Sequence, residues 1–153
     1  PAYFGAHKRQ ELFAQVAKEG GLAIGKQDTT EPENIQICVS NGCTVMPEVP
    51  YKVMPFLYNQ SRVLLCTAIW GSQRTILEAM ACNIVPVVCS DSATNAEYIK
   101  ESGVGFIADP NVDDLKKKFQ LALKAKPEGR EYILQHYSAE QYADKLHKGL
   151  TSI

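Results

Sequence analysis

The sequence predicts an α/β domain built on a doubly wound, Rossmann-like parallel sheet. Three observations point there. Short continuous apolar runs such as Arg62–Cys66 and Val85–Cys89 have the pattern of strands buried on both faces. Amphipathic stretches alternate with them along the chain, which is the order of βαβ units. The 153 residues suffice for one well-buried core and not for two, so residues 1–153 read as a single domain.

The elements follow in order. Tyr3-Phe4 reads as the end of a strand running into Gly5, and Lys8–Glu19 as a helix with Leu12, Phe13, Val16 and Ala17 on one face. Gly20-Gly21 should terminate it. Leu22–Ile24 is a strand, and Gln27–Asn34, polar and holding Pro32, a loop. Ile35–Val39 and Thr44–Met46 read as short strands around the turn Asn41-Gly42, and Val53–Asn59 as a helix. Arg62–Cys66 is a strand, Ile76–Cys82 a helix, Val85–Cys89 a strand, Asn95–Lys100 one or two helical turns and Gly105–Ala108 a last strand. Val112–Lys126 is an amphipathic helix, and Ser138-x-x-Gln141 is a capping box opening a final one.

Composition excludes several function classes. Seventeen acidic against sixteen basic side chains leave a formal charge of −1, without the basic excess of a dedicated nucleic-acid binder. No run approaches the roughly 20 apolar residues of a membrane span. Five cysteines, an odd number with no C-x-x-C pair, indicate a reducing, cytoplasmic compartment. Cys66 and Cys89 read as core residues, and Cys38 and Cys43 make a poor zinc set, so no metal is expected. Pro1 opens the chain without a lead-in and reads as a boundary within a longer protein.

In doubly wound sheets, ligands bind beyond the carboxyl ends of the strands, beside helix N-termini. The first such loop is Gly5-Ala6-His7-Lys8-Arg9. Cations there oppose the helix macrodipole, and a phosphate held between them and the backbone N–H groups would remove the conflict. Extension of both side chains into water is the equal alternative. The loop Ile69-Trp70-Gly71-Ser72-Gln73-Arg74-Thr75 repeats the arrangement, which suggests a diphosphate between the two loops. Neither a Gly-x-Gly-x-x-Gly fingerprint nor a P-loop is present. Glu78 is suited to accept ribose hydroxyls, but Thr75-x-x-Glu78 also reads as a capping box.

The run Leu77-Glu78-Ala79-Met80-Ala81-Cys82-Asn83-Ile84-Val85-Pro86-Val87-Val88 resembles the signature of the family-4 type retaining glycosyltransferases of the two-domain GT-B fold, with Asn83 where the family carries glycine. Tyr51–Asn59 resembles the helix before the signature strand, and Glu97-Tyr98-Ile99 with Gly103–Ile107 resembles a further family segment. The resemblance spans nearly the whole chain. It implies the C-terminal, donor-binding lobe of such an enzyme, with the acceptor-binding N-terminal lobe of the same polypeptide as its partner.

By position, Lys8 resembles the lysine that neutralises the donor diphosphate and Glu78 the glutamate that holds the ribose. Gly5, Gly71, Ser72 and Thr75 fall in the donor loops, and Met46 to Val49 where the family lines the base pocket. Trp70 replaces the first glutamate of the family's Glu-x7-Glu pair, Gly71-Ser72-Gln73 replaces Gly-Phe-Gly, and Gly5-Ala6 replaces Gly-Arg. Trp70 could stack on a sugar face or cover the sheet edge, and Arg74 could supply the missing cation.

The function implied is sugar transfer from a nucleotide-diphosphate sugar to a glycan or lipid-linked acceptor, without cofactor or metal, and with the isolated domain inactive. A non-catalytic nucleotide-binding or scaffolding domain is the alternative, and a nucleotide-sugar epimerase of similar fold fits less well. Lys116-Lys117-Lys118 with Lys124 and Lys126 could form a strip for peripheral contact with the inner membrane face, against a default of a solvated helix face.

Overall fold

The computed structural model describes residues 4–26 and 32–151. The strand expected at Tyr3-Phe4 lies largely outside them. Among the described residues five strands and eight α-helices follow one another, alternating as far as α6: α1 (Gln10–Ala17), β1 (Leu22–Gly25), α2 (Pro32–Ser40), β2 (Thr44–Pro47), α3 (Met54–Asn59), β3 (Val63–Cys66), α4 (Gln73–Ala81), β4 (Val85–Cys89), α5 (Ala93–Ser102), β5 (Phe106–Ala108), α6 (Val112–Lys124), α7 (Gly129–His136) and α8 (Ala139–Thr151).

All strand pairs are parallel. β3, β4 and β5 form one sheet, with Val63 opposite Val85 and Val87 opposite Phe106. β1 and β2 form a second, with Leu22 opposite Thr44. The expected single sheet is thus divided between β1 and β3, whose facing residues Leu22, Ile24 and Leu64, Leu65 line a space of about 630 Å³.

β4 shows why the larger sheet is wound on both faces. Every residue of it is buried. Val85, Val87 and Cys89 point to one side, against Val16 of α1 and Leu115 and Ala122 of α6. Val88 points to the other, against Ile76 and Met80 of α4 and Ala96 and Ile99 of α5. Side chains alternate across a strand, so a continuous apolar run requires a helical layer on each face.

Three local expectations are corrected. Ile35–Val39 is helix, within α2. Its β-branched residues suggest a strand, but Pro32 and Glu33 begin the helix, and Asn34 and Cys38, one turn apart, are its buried face. α1 itself ends at Ala17, where Lys18 takes a positive φ (48°), and a 3-10 turn, Lys18–Gly20, carries the chain on to the expected stop at Gly20-Gly21. Gly21 is needed for space, because a Cβ there would lie 2.8 Å from that of Ala17. A helix not foreseen, α7, packs on α4 through Gly129, whose added Cβ would come within 2.9 Å of Met80. Thr75-x-x-Glu78 is not a capping box: α4 starts at Gln73, so Thr75 is already inside the helix and Glu78 lies on its second turn. At Ser138 the N-cap half of the expected box is present, with Gln141 N–H donating to Ser138 Oγ at 3.3 Å.

The signature's Asn83 has a clear backbone role. It is left-handed (φ 57°) directly after α4. Its N–H donates to Met80 O and that of Ile84 to Ala79 O, both at 2.9 Å, while Ile84 packs on Ala79. This is the helix-terminating motif whose left-handed position favours glycine and admits asparagine. On α6, Lys116, Lys117 and Lys124 are exposed, and Lys126 beyond it pairs with Glu128 at 2.7 Å. Among the described residues, no helix is long and apolar enough to cross a membrane.

Candidate functional site

Two loops meet at the carboxyl ends of β1 and β3. In the first, Ala6–Lys8 forms a short 3-10 turn before α1. In the second, Gly71 (φ 75°) and Ser72 (φ 71°) are consecutive left-handed residues that swing the chain from β3 into α4. Lys8 Nζ joins the loops, donating to Ser72 Oγ at 3.0 Å. Gly71 lies beside the lysine, where a Cβ would stand 3.5 Å from Nζ, an ordinary contact; what the position asks of glycine is its positive φ. The backbone adds a second tie, Ile69 N–H to His7 O at 2.9 Å.

The pairing of Lys8 with Arg9 as joint phosphate ligands is corrected. Arg9 is held by the fold: Nε donates to Thr67 O at 2.7 Å, and Nη1 and Nη2 reach the two oxygens of Asp91 at 2.9 and 2.8 Å. Such a bidentate fork uses the guanidinium's planar geometry in full. Hydrogen bonding to Arg9 holds the Asp91 carboxyl below its usual range and raises Arg9 in turn. Thr67 completes the clasp, its hydroxyl donating to Lys8 O at 2.6 Å.

Beside the two loops lies a cleft of about 670 Å³, bounded by Lys8, Ser72, Gln73, Arg74, Thr75 and Glu78 on one side. Val49 lines the other side, with Ile24, Glu48, Tyr51 and Tyr58. Lys8, Ser72, Arg74, Thr75, Glu78 and Val49, named from sequence alone, are therefore brought together. Gly71 flanks the cleft through Lys8. Met46, Gly5 and Trp70 are not among the residues lining it. Trp70 does not cover the sheet edge: it is 61% exposed and stacks on His7, with ring centroids 5.0 Å apart and planes 3° from parallel.

The N-terminus of α4 opens at this cleft, and no side chain caps it. The first N–H groups of a helix lack partners within it, and the macrodipole adds partial positive charge, so this end suits an anion. Arg74 is exposed on the first turn. One turn further on, Glu78 accepts from Tyr51 Oη at 2.8 Å and from Tyr58 Oη at 3.2 Å. Burial, then the neighbouring Glu78 charge, raises the Tyr58 phenol; the hydrogen bond to Glu78 chiefly raises Tyr51. Both phenols therefore remain donors at neutral pH. Sequence reasoning missed these tyrosines, although their separation by seven residues, two helical turns, was a usable signal. The cleft thus has a cationic end built from Lys8, Arg74 and a helix N-terminus, and a carboxylate end at Glu78. Among the described residues no cluster of three or more His, Cys, Asp or Glu side chains could hold a metal.

Comparison with known proteins accords with this layout. Residues 24–138 match the family model described as glycosyl transferases group 1. A 64-residue stretch is 39% identical to O-antigen chain mannosyltransferase B of Escherichia coli, covering 41% of this chain and 16% of that enzyme. Among solved structures, Anabaena Alr3699/HepE in complex with UDP and glucose superposes with a TM-score of 0.73 at 16% identity, over 99% of this chain and 47% of that one. The catalytic domain of cholesterol-α-glucosyltransferase from Helicobacter pylori gives 0.62 at 18%, over 88% and 91%. WaaG, a glycosyltransferase of lipopolysaccharide biosynthesis, gives 0.58 at 17%, over 84% and 38%. The chain thus spans about a sixth of the curated relative and under half of two of these structures. At these identities the structures establish the fold, that of GT-B glycosyltransferases. The family match covers more than half of the chain, which belongs to the group 1 glycosyltransferases.

Proposed function

We propose that this chain is the C-terminal, donor-binding lobe of a retaining glycosyltransferase that takes a nucleotide-diphosphate sugar and passes the sugar to a glycan or lipid-linked acceptor held by an N-terminal lobe. The observation that carries the reading is the two-ended cleft, with Lys8 and the uncapped α4 N-terminus at one end and Glu78 on the second turn of that helix. The diphosphate occupies the cationic end and the ribose hydroxyls meet Glu78. Charge that develops on the leaving diphosphate is stabilised by Lys8, Arg74 and the α4 N–H groups, donors held in place before reaction. HepE, of like fold, holds UDP and glucose in its structure, which supports the donor class. The base lies toward Val49, with Glu48 and Val49 as its wall. The five free cysteines support a cytoplasmic setting.

The test has two arms. Titration of ADP, GDP and UDP into this domain should show binding that Lys8→Ala and Glu78→Ala each weaken at least about tenfold, the scale of one charge-assisted hydrogen bond. The whole protein, with its N-terminal lobe, should transfer sugar from the matching donor. Nucleotide binding without turnover by the whole protein would make this a non-catalytic nucleotide-binding module, and unchanged affinity in both variants would remove the site assignment.

A further inference from the structure

Glu78 is held from two sides by phenols in unlike surroundings. Tyr58, on α3, is 8% exposed and packs with Ala79 and Ile84. It is the buried residue of its helix, so its ring pegs α3 against α4 and its hydroxyl reaches Glu78 Oε2. Tyr51 lies in the 3-10 turn Tyr51–Val53 before α3, is 66% exposed, and reaches Oε1. An ionised carboxylate offers about four acceptor positions on its two oxygens. The phenols use one on each, and the position on Oε1, held by the exposed phenol, is the one that a ligand hydroxyl contests.

The two bonds differ in how readily they can be exchanged. Tyr58 is 8% exposed and its bond to Glu78 is part-buried, so breaking it costs more than breaking a bond in open solvent. The Tyr51 hydroxyl is exposed and can trade Glu78 for water at little cost. We propose that Tyr58 is a positioning residue that fixes Glu78 for diol recognition, while Tyr51 is a placeholder on Oε1 that yields to a ligand hydroxyl, so that the pair sets preference for a ribonucleotide over its 2′-deoxy counterpart. The inference rests on the assignment of this cleft to a nucleoside diphosphate.

The consequence is a pair of opposite effects. Tyr58→Phe keeps the ring and its packing but releases Oε2; ribonucleotide affinity should fall about threefold to tenfold, the worth of one hydrogen bond, while the 2′-deoxy form changes less. Tyr51→Phe removes a competitor for Oε1, and ribonucleotide affinity should rise about twofold to threefold on the same scale. A purely structural role would move both variants, and both forms of the nucleotide, in one direction.

The experiment is calorimetric titration of GDP, UDP and their 2′-deoxy forms into wild type, Tyr51→Phe, Tyr58→Phe and Glu78→Ala, with melting temperatures measured alongside. Opposite shifts confined mainly to the ribonucleotides support the proposal. Shifts of equal sign, or equal for ribo and deoxy forms, overturn it even where Glu78→Ala abolishes the preference. If Glu78→Ala leaves binding unchanged, or no nucleotide binds wild type, the cleft assignment falls and this inference with it. Should Tyr58→Phe unfold, Tyr51→Phe at its exposed site still decides, since tighter ribonucleotide binding is the result a structural role would not produce.

Discussion

Lys8 Nζ and Ser72 Oγ, 64 residues apart, meet at 3.0 Å and fasten the two loops of the cleft to each other. The hydroxyl orients the ammonium without neutralising it, so the cation keeps its charge for a ligand. Lys8→Met should therefore weaken nucleoside diphosphate binding at least about tenfold and flatten its salt dependence, since the lost contact is charge-based. Ser72→Ala removes only the anchor and should cost about threefold. Titrations at two ionic strengths distinguish the cases. An equal loss in both variants would mean that the lysine acts through the loop rather than on the anion.

Asn83 yields a prediction about stability alone. Its left-handed backbone and its place outside the residues lining the cleft separate conformation from function. Asn83→Gly loses the bond from Arg130 N–H to Oδ1, 3.0 Å, but relieves the backbone, and should change stability by less than about 0.5 kcal/mol. Asn83→Ala has neither benefit and should cost about 1–2 kcal/mol, the penalty of a left-handed residue with a Cβ. Urea midpoints at constant slope measure both.

Trp70 separates recognition of the sugar from recognition of the nucleotide. It stands outside the residues lining the cleft, exposed, with one ring face against His7. Trp70→Ala should leave nucleoside diphosphate affinity unchanged and weaken binding of the intact nucleotide sugar about twofold to tenfold, the worth of a stacking contact. Comparing one nucleotide with and without its sugar reads the difference. Equal losses for both would assign Trp70 to shaping the Lys8 loop.

What the sequence revealed, and what it concealed, divides along physical lines. β4 was legible because burial on both faces writes a continuous apolar run, and α4 because its start follows a glycine-bearing turn. Lys8 and Arg74 stood out as charges at helix starts beside strand ends, and the structure brings both to the cleft, where Glu78 joins them from the second turn of α4. The misreadings share one cause, dependence on partners distant in the chain. Arg9 looked like Lys8 until Asp91 claimed it, and Glu78 looked like a cap until the true start of α4 moved it to the second turn. The β-branched residues of α2 suit a strand locally, and only packing through Asn34 and Cys38 makes them helical. Tyr51 and Tyr58 carried their periodicity openly, but nothing local links a phenol to a carboxylate on another helix. The separation of β1 from β3 has no local signal either, because both strands are ordinary apolar runs.

Acid should loosen the clasp that holds the first loop. Arg9 and Asp91 make two hydrogen bonds, and Arg9 itself is left-handed (φ 51°), a conformation it keeps only under constraint. The carboxyl of Asp91 is held below its usual value by Arg9, so the folded state binds that proton less tightly than the unfolded chain does. The sign follows: the contribution is complete above the unfolded aspartate value of about 4 and is lost as pH falls through the lower folded value. The Asp91 side chain is 42% exposed, so solvent screening limits the gain to about 1 kcal/mol or less. Asp91→Asn should lower stability by that amount at pH 7 and erase this part of the acid dependence, so that wild type and variant converge as pH falls through the lowered folded value of Asp91. Because the clasp positions the backbone of Lys8, nucleotide affinity at pH 7 should fall modestly in the same variant. Denaturation midpoints from pH 3 to 7 measure the first effect; parallel curves across that range would show that Arg9 is held by Thr67 O alone.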